Sequence, residues 1–290
     1  MPAAPGQSHL INANESDHSR QKRLLTHAFS SYALRDQETL IFSYIDLFIQ
    51  RLQGFADKGE RVNLEEWLNF LTFDIVGDLA FGTSFNCLQD SGYHPWVATI
   101  FQSIKTGPFL RALSVYPSLA RQIRRVMPKR LVQKRVAHYQ MSKDRVTQRL
   151  AKSTPRPDFV SYILRYNDER GMQQSEIEMK AAIIIQAGSE TTATVLAACI
   201  YYLQQNPSCK QRAVQEIKSA FQTDSDITFR ATIELPYLRA IIEESLRMFP
   251  PAPGVGPRIV PHGGAVMDGQ QVPGGVSVYR HDEPLEHSKC

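Results

Sequence analysis

The stretch Ala181-Ala182-Ile183-Ile184-Ile185-Gln186-Ala187-Gly188-Ser189-Glu190-Thr191-Thr192-Ala193-Thr194-Val195-Leu196 decides how the rest of the chain reads. It is the most apolar part of the sequence, and the apolar character runs on to Leu203. Gln186, Ser189, Glu190, Thr191 and Thr192 interrupt it, and a bilayer core would penalise all five. The expectation is therefore a buried helix of a soluble domain. At helical spacing Ile184, Ala187, Gly188, Thr191, Val195 and Ala198 share one face, so Thr191 points where the apolar residues point. A glycine beside hydroxyl side chains weakens the local helix, because threonine can hydrogen-bond back to a carbonyl one turn earlier. Local widening of a helix is frequent at functional sites. Such a notch can admit a small ligand against the backbone, and Glu190 beside Thr191 sets an acid next to an alcohol, a route for a proton. The same residues also read as a small-residue crossing point against a neighbouring helix. The segment taken alone slightly favours that second reading.

Working outward, Ser175 and Glu178 have the spacing of a capping box and predict the start of this helix, which runs to Gln205. Asn206-Pro207 starts a new helix, since proline is tolerated in the first turn. Another helix begins near Pro236 and ends by Phe249, because Pro250 and Pro251 cannot continue it. Within it Glu244 and Arg247 are three residues apart and lie on adjacent positions of one face, with Glu243 also in reach of Arg247. Taken alone they read as a surface ion pair, worth about 0–1 kcal/mol. Beyond Pro251, glycine and proline are dense. The short apolar runs Arg258 to Val260, Gly264 to Met267 and Val276 to Tyr279 predict strands joined by tight turns.

Upstream, helical periodicity dominates. Helices are predicted over Asp17–Phe29, Leu40–Phe55, Leu64–Phe81 (ending at Gly82), Pro95–Ser103 and Lys129–Leu150, with a loop at Ser153–Pro157. The first carries His18, Lys22 and Arg23 and reads by itself as a solvated basic helix start. Arg121, Arg124, Arg125, Lys129, Arg130, Lys134 and Arg135 form a basic cluster. A solvated helix face explains it better than nucleic-acid binding, because no stacking aromatics accompany it, and an acidic membrane surface or an acidic redox partner is the third reading.

Composition agrees with a globular chain: 290 residues, 42% hydrophobic, 21% charged, net charge +4. The four cysteines, Cys87, Cys199, Cys209 and Cys290, contain no C-x-x-C spacing. They read as free thiols in a reducing compartment rather than a zinc site or a disulfide framework. The first twenty residues have no apolar core, so they are neither a signal peptide nor an anchor.

Three segments together resemble the cytochrome P-450 monooxygenases, in wording most like the filamentous-fungal microsomal type. Ala187-Gly188-Ser189-Glu190-Thr191-Thr192 is similar to the oxygen-binding motif of helix I. Glu244-Ser245-Leu246-Arg247-Met248-Phe249-Pro250-Pro251 resembles the E-x-x-R of helix K and its proline-rich exit. The segment from Asp17 to Ser30 resembles helix C, with His18 and Lys22 where many relatives hold tryptophan and arginine. The likeness extends from about Ser8 to about Tyr279. It implies a mainly α fold, a partial cytochrome P-450 fold with a small β element near the C-terminus.

The resemblance further implies haem b as cofactor. It assigns Glu190 and Thr191 to proton delivery, Ala187 and Gly188 to the oxygen groove, and His18, Lys22 and Arg258 to the haem propionates. Glu244 and Arg247 become a buried structural pair. The implied reaction inserts one oxygen atom from O2 into a lipophilic substrate. NADPH-cytochrome P-450 reductase is the implied electron donor, and no nucleic-acid partner is implied. Residues 281–290 do not resemble the family, and the family's cysteine loop does not occur. Residues 1–290 therefore read as one incomplete domain, from the helix C region to just past helix K, with a non-family tail. The accompanying expectations are an inactive fragment without a metal ligand and, for want of an anchor, a cytoplasmic or peripheral rather than endoplasmic-reticulum membrane location. The alternative is a non-catalytic protein that binds a lipophile or the reductase.

Overall fold

A computed structural model describes residues 13–98, 100, 129–152, 156–165, 171–252 and 258–278. The expectations for residues 1–12, the Arg121–Arg125 cluster, residues 99 and 101–103 of the Pro95–Ser103 helix, the centre of the Ser153–Pro157 loop and the tail lie outside these residues. The described helices are α1 (Glu15–Ala28), α2 (Ser31–Asp57), α3 (Leu64–Phe81), the short α4 (Cys87–Asp90), α5 (Lys129–Ala151), α6 (Phe159–Arg165), α7 (Gln174–Gln205), α8 (Pro207–Ala220), α9 (Phe229–Ile233) and α10 (Pro236–Met248). The strands are β1 (Arg258–Ile259), β2 (Ala265–Met267), β3 (Gln270–Val272) and β4 (Ser277–Val278). This is the mainly α architecture the sequence predicts. The chain divides into two compact units, residues 1–193 and 194–290.

In the first unit α3 is the core. Trp67, Leu68, Phe70, Leu71, Phe73, Leu79, Ala80 and Phe81 are all buried, so this helix is enclosed on every side rather than amphipathic. It ends where predicted, with Gly82 in the left-handed conformation at φ +68° and its N–H bonded to the Asp78 carbonyl. A Cβ at Gly82 would lie 2.6 Å from Cδ of Arg149, so close packing demands glycine as well. Two acidic residues inside this apolar helix, unremarked in the sequence, hold its surroundings together. Asp74 accepts the backbone N–H groups of Phe85, Cys87 and Leu88 at 3.1, 3.0 and 2.8 Å. Asp78 accepts the Tyr44 hydroxyl at 2.8 Å and a guanidinium N–H of Arg156 at 2.5 Å. Arg149 of α5 forms a buried ion pair with Asp158 at 2.6 Å, and Asp158 also accepts the Ser161 N–H at 2.8 Å, which caps α6.

α1 starts two residues before the predicted Asp17, because the Asn14 side chain accepts the Asp17 N–H at 2.8 Å. Its buried stripe is Gln21, Leu24, Leu25 and Ala28, and it packs on α6. The start of α7 also differs from expectation. The carboxylate of Glu176 reaches back to the Gln173 N–H at 2.9 Å, and the Gln174 side chain takes Glu178 at 3.0 Å, so the cap is Glu176 rather than the Ser175–Glu178 box. Glu176 also receives Arg20 of α1 at 2.7 and 3.0 Å. That guanidinium pulls the Glu176 carboxyl down to about 2. The folded value lies below the unfolded one, so this stabilisation is full above about pH 4.5 and is lost as pH falls towards 2. The expected loss is on the order of 2–3 kcal/mol, readable as a falling urea midpoint across that range. Glu176→Gln is expected to flatten the acid limb.

α7 is the one helix among the described residues long and apolar enough to cross a membrane by length and composition. Its central turns are buried along one face, through Ile177, Ala181, Ala182, Ile185, Ser189 and Ala193, while Lys180 near the start and Ala198 near the end are buried on the other side. In the second unit α8 and α10 begin at Pro207 and Pro236, and α10 stops at Met248, as predicted. β1 pairs with β4 and β2 with β3, both antiparallel. The unpredicted β3 follows Asp268 and Gly269, at φ +49° and +75°, the two-residue turn that Asp-Gly favours in a tight hairpin.

Candidate active site

Thr191 lies on the face of α7 that the spacing assigns to it, but in its central turns that face is not the buried one. The face shared by Ile184, Ala187, Thr191 and Val195 is the open one: Ala187 is exposed, and Ile184, Thr191 and Val195 are half-buried. The protein covers the opposite face, so the notch opens outward from the unit. Thr191 donates its hydroxyl to the Ala187 carbonyl at 2.5 Å, the back-bond expected of threonine in a weakened helix. A Cβ at Gly188 would sit 3.4 Å from Cγ2 of Val76, so Gly188 marks the approach to α3. Gly188 thus carries the close approach to α3, and the Thr191 back-bond to Ala187 lies beside it.

Glu190 is half-buried, and its charge is felt by Tyr93. Burial, aided by Glu66, Glu65, Cys87 and Glu190, pushes the Tyr93 phenol up to about 12, so it stays protonated and able to donate at neutral pH. Tyr93 packs edge-on against Phe70 of α3 at 4.8 Å. The stretch that carries it follows the 85–88 backbone held by Asp74. This neighbour of Glu190 was not found from sequence; the acidic pair Asp74 and Asp78, one turn apart in an apolar helix, was the available signal.

His18 and Lys22 lie one turn apart on α1, on one flank of its buried stripe, His18 half-buried and Lys22 exposed. Arg258 is exposed on β1, in the second unit. Glu244 and Arg247 join in a two-pronged ion pair at 2.7 and 2.6 Å, which holds the Glu244 carboxyl below its ordinary range. The resemblance implies burial, yet the two side chains are 59% and 47% exposed. The reason is rotational: Ser245 is the buried position of α10, and Glu243 is taken by Arg239 at 2.9 Å. Ile242, Leu246 and Phe249 are exposed on the same helix.

The cytochrome P450 family model matches residues 2–281. The chain belongs to the cytochrome P450 family. Among curated P450 relatives, the monooxygenase astJ of Aspergillus oryzae is 69% identical over 96% of this chain and 56% of its own length. The trichothecene C-4 hydroxylase of Trichoderma arundinaceum is 38% identical over 94% of this chain and 56% of its own. The crystal structure of the cytochrome P450DA haem domain superposes with TM-score 0.77 at 17% identity, covering 96% of this chain and 60% of that one. The chain therefore has the P450 fold and spans a little over half the length of the curated P450 relatives it matches.

The residues present fit a P450 haem in part. An open helix face with small Ala187 and the Thr191 hydroxyl suits the distal side, and His18 and Lys22 suit anionic propionates. The described cysteines do not suit the axial position. Cys87 is fully buried and its thiol is pushed up to about 12, away from the thiolate form; Cys199 is buried on α7; and Cys209 sits on the exposed side of α8. Cys290 lies outside the described residues.

Proposed function

We propose that this chain builds the distal wall and one propionate flank of the haem pocket of a fungal-type monooxygenase acting on a lipophilic small molecule. The observation that supports this best is the open face of α7, where Thr191 is back-bonded to Ala187 beside Glu190 in an otherwise packed helix. Haem held by a thiolate supplies the reductive activation of dioxygen, with electrons from an NADPH-dependent reductase. The chain's own residues do the rest. Ala187 leaves space against the backbone. Thr191 holds a hydroxyl proton at the groove and can release it from the Ala187 carbonyl. Glu190 holds a carboxylate at the next position, and its charge helps keep Tyr93 protonated. His18 and Lys22 supply charge and hydrogen-bond donors to carboxylates, Lys22 as a point charge rather than a fork. Arg258 is the further propionate candidate, in the second unit. Glu244 and Arg247 are proposed as structural, fixing α10.

Haem titration followed by Soret absorbance tests the reading. The purified chain is expected to take up haem saturably, one per chain. Ala187→Trp, which fills the open face without touching the buried one, is expected to weaken binding at least about tenfold, or 1.4 kcal/mol. Alanine at Cys87, Cys199 and Cys209 is expected to leave the Soret band of the reduced carbon monoxide adduct unchanged. A chain that takes up no haem, or binds it equally with tryptophan at 187, would overturn the proposal.

A further inference from the structure

Four residues that the haem reading leaves unused join α1 to the first turns of α7. Gln21 and Lys180 are 0% and 1% exposed, yet both are polar. The Lys180 ammonium donates to the Gln21 side-chain carbonyl. The other end of the same amide donates to Glu176 Oε1 at 2.9 Å. Glu176 also accepts the Arg20 fork at 2.7 and 3.0 Å, and Arg20 continues to the Gly171 carbonyl at 2.6 Å and to Asp17 at 2.9 Å. Every group in this chain of bonds has a partner. The Gln21 amide has only one orientation that satisfies both neighbours, a donor on one side and an acceptor on the other.

The bonds span more than 150 positions of sequence, so they specify tertiary placement rather than local helix. They also specify rotation. On α1, Arg20 lies on one flank of the buried stripe, and His18 and Lys22 lie on the other. Fixing Arg20 and Gln21 against α7 therefore fixes the direction in which His18 and Lys22 project. An apolar stripe alone would let α1 roll, because hydrophobic contact is non-directional. A buried lysine between two helices is costly unless its hydrogen bonds are met, so the arrangement penalises a rolled helix.

We propose that Arg20, Gln21, Glu176 and Lys180 form a clasp that sets the rotation of α1 against α7, making them positioning residues for the His18 and Lys22 side chains. The inference rests on the haem reading for what those side chains hold, but the clasp itself does not require haem.

The test uses the full chain with Cys209 and Cys290 changed to serine and nitroxide labels at Ser19→Cys and Thr192→Cys, both exposed positions. Gln21→Leu is expected to broaden the inter-label distance distribution. The gentler Glu176→Gln, which keeps shape and removes the charge, is expected to do the same while the chain keeps its helical circular dichroism. In parallel, haem affinity is expected to fall about tenfold in each. The conservative Glu176→Asp, which keeps the charge and both acceptor oxygens, is expected to retain more of both distance and affinity than Glu176→Gln although it removes more volume, which simple loss of packing would not produce. Unchanged distances in both single variants would overturn the clasp. Broadened distances with unaltered haem affinity would overturn its positioning role. If the unaltered chain takes up no haem, the haem reading fails, and the label distances alone decide whether the clasp exists.

Discussion

Arg149→Met is expected to destabilise the first unit by about 3–5 kcal/mol. Arg149 and Asp158 are 7% and 0% exposed, and the guanidinium bonds Asp158 at 2.6 Å, the Lys152 carbonyl at 2.9 Å and the Ser161 hydroxyl at 2.7 Å. Methionine retains most of the aliphatic volume but leaves the buried Asp158 carboxylate with only the Ser161 N–H and the more distant Arg156, 3.9 Å away, and removing the close partner of a buried pair is the costly change. The loss spreads, because α6 begins on Asp158 and packs against both α1 and α3. Urea unfolding followed by circular dichroism measures it: the midpoint should fall, with the slope preserved if the cooperative unit is unchanged. Arg149→Lys should recover little, since a lysine cannot reach Asp158, Ser161 and the Lys152 carbonyl from one planar fork. A shift below about 1 kcal/mol for Arg149→Met would show that the pair is no more than a tolerated buried charge.

Asp74→Ala is expected to cost about 3 kcal/mol or more. The side chain is 1% exposed and accepts three buried backbone N–H groups. Alanine would orphan all three at once, and each buried unsatisfied donor costs on the order of 1–3 kcal/mol. Burial raises the carboxyl above its ordinary range, while the three N–H groups oppose that shift. Asp74→Asn should fall between, because its amide retains one acceptor oxygen but presents a donor to the remaining N–H groups. The consequence reaches the site: residues 85–88 lead directly to Tyr93, which stands in the field of Glu190. Hydrogen exchange of the Phe85, Cys87 and Leu88 amides should rise in Asp74→Ala well before the amides of α5 respond. Exchange unchanged at these three amides would mean that water or other groups replace the carboxylate at no cost.

Both predictions concern residues that sequence reading passed over, for a shared reason. Helical periodicity reports which residues are apolar, and a polar residue in the pattern is assigned to the solvent side. Asp74, Asp78, Gln21 and Lys180 break that rule because each finds a partner from a distant segment, and partners 11 to 159 positions away leave no local trace. Elements with local stop signals were legible to the residue. α3 ends on Gly82 because only a left-handed residue closes it there, and α10 runs from Pro236 to Met248 between prolines. The start of α7 shows the same logic in reverse: Ser175 and Glu178 have capping spacing, but Glu176 is aimed by Arg20 and caps instead.

By itself the sequence determined that the chain is mainly helical with a small strand-rich segment near its end, and that its most apolar helix carries an acid and an alcohol at an interrupted point. These follow from spacing, proline and glycine, which act within a few residues. Only the tertiary structure decided which side of that helix is open. The Thr191 face shares its apolar character with the buried face, so hydropathy could not separate them. The approach of Val76 to Gly188 and the packing around Ile185 and Ser189 close one side and leave Ala187 and Thr191 on the other. On α10 it is likewise the burial of Ser245 that turns Glu244 and Arg247 outward.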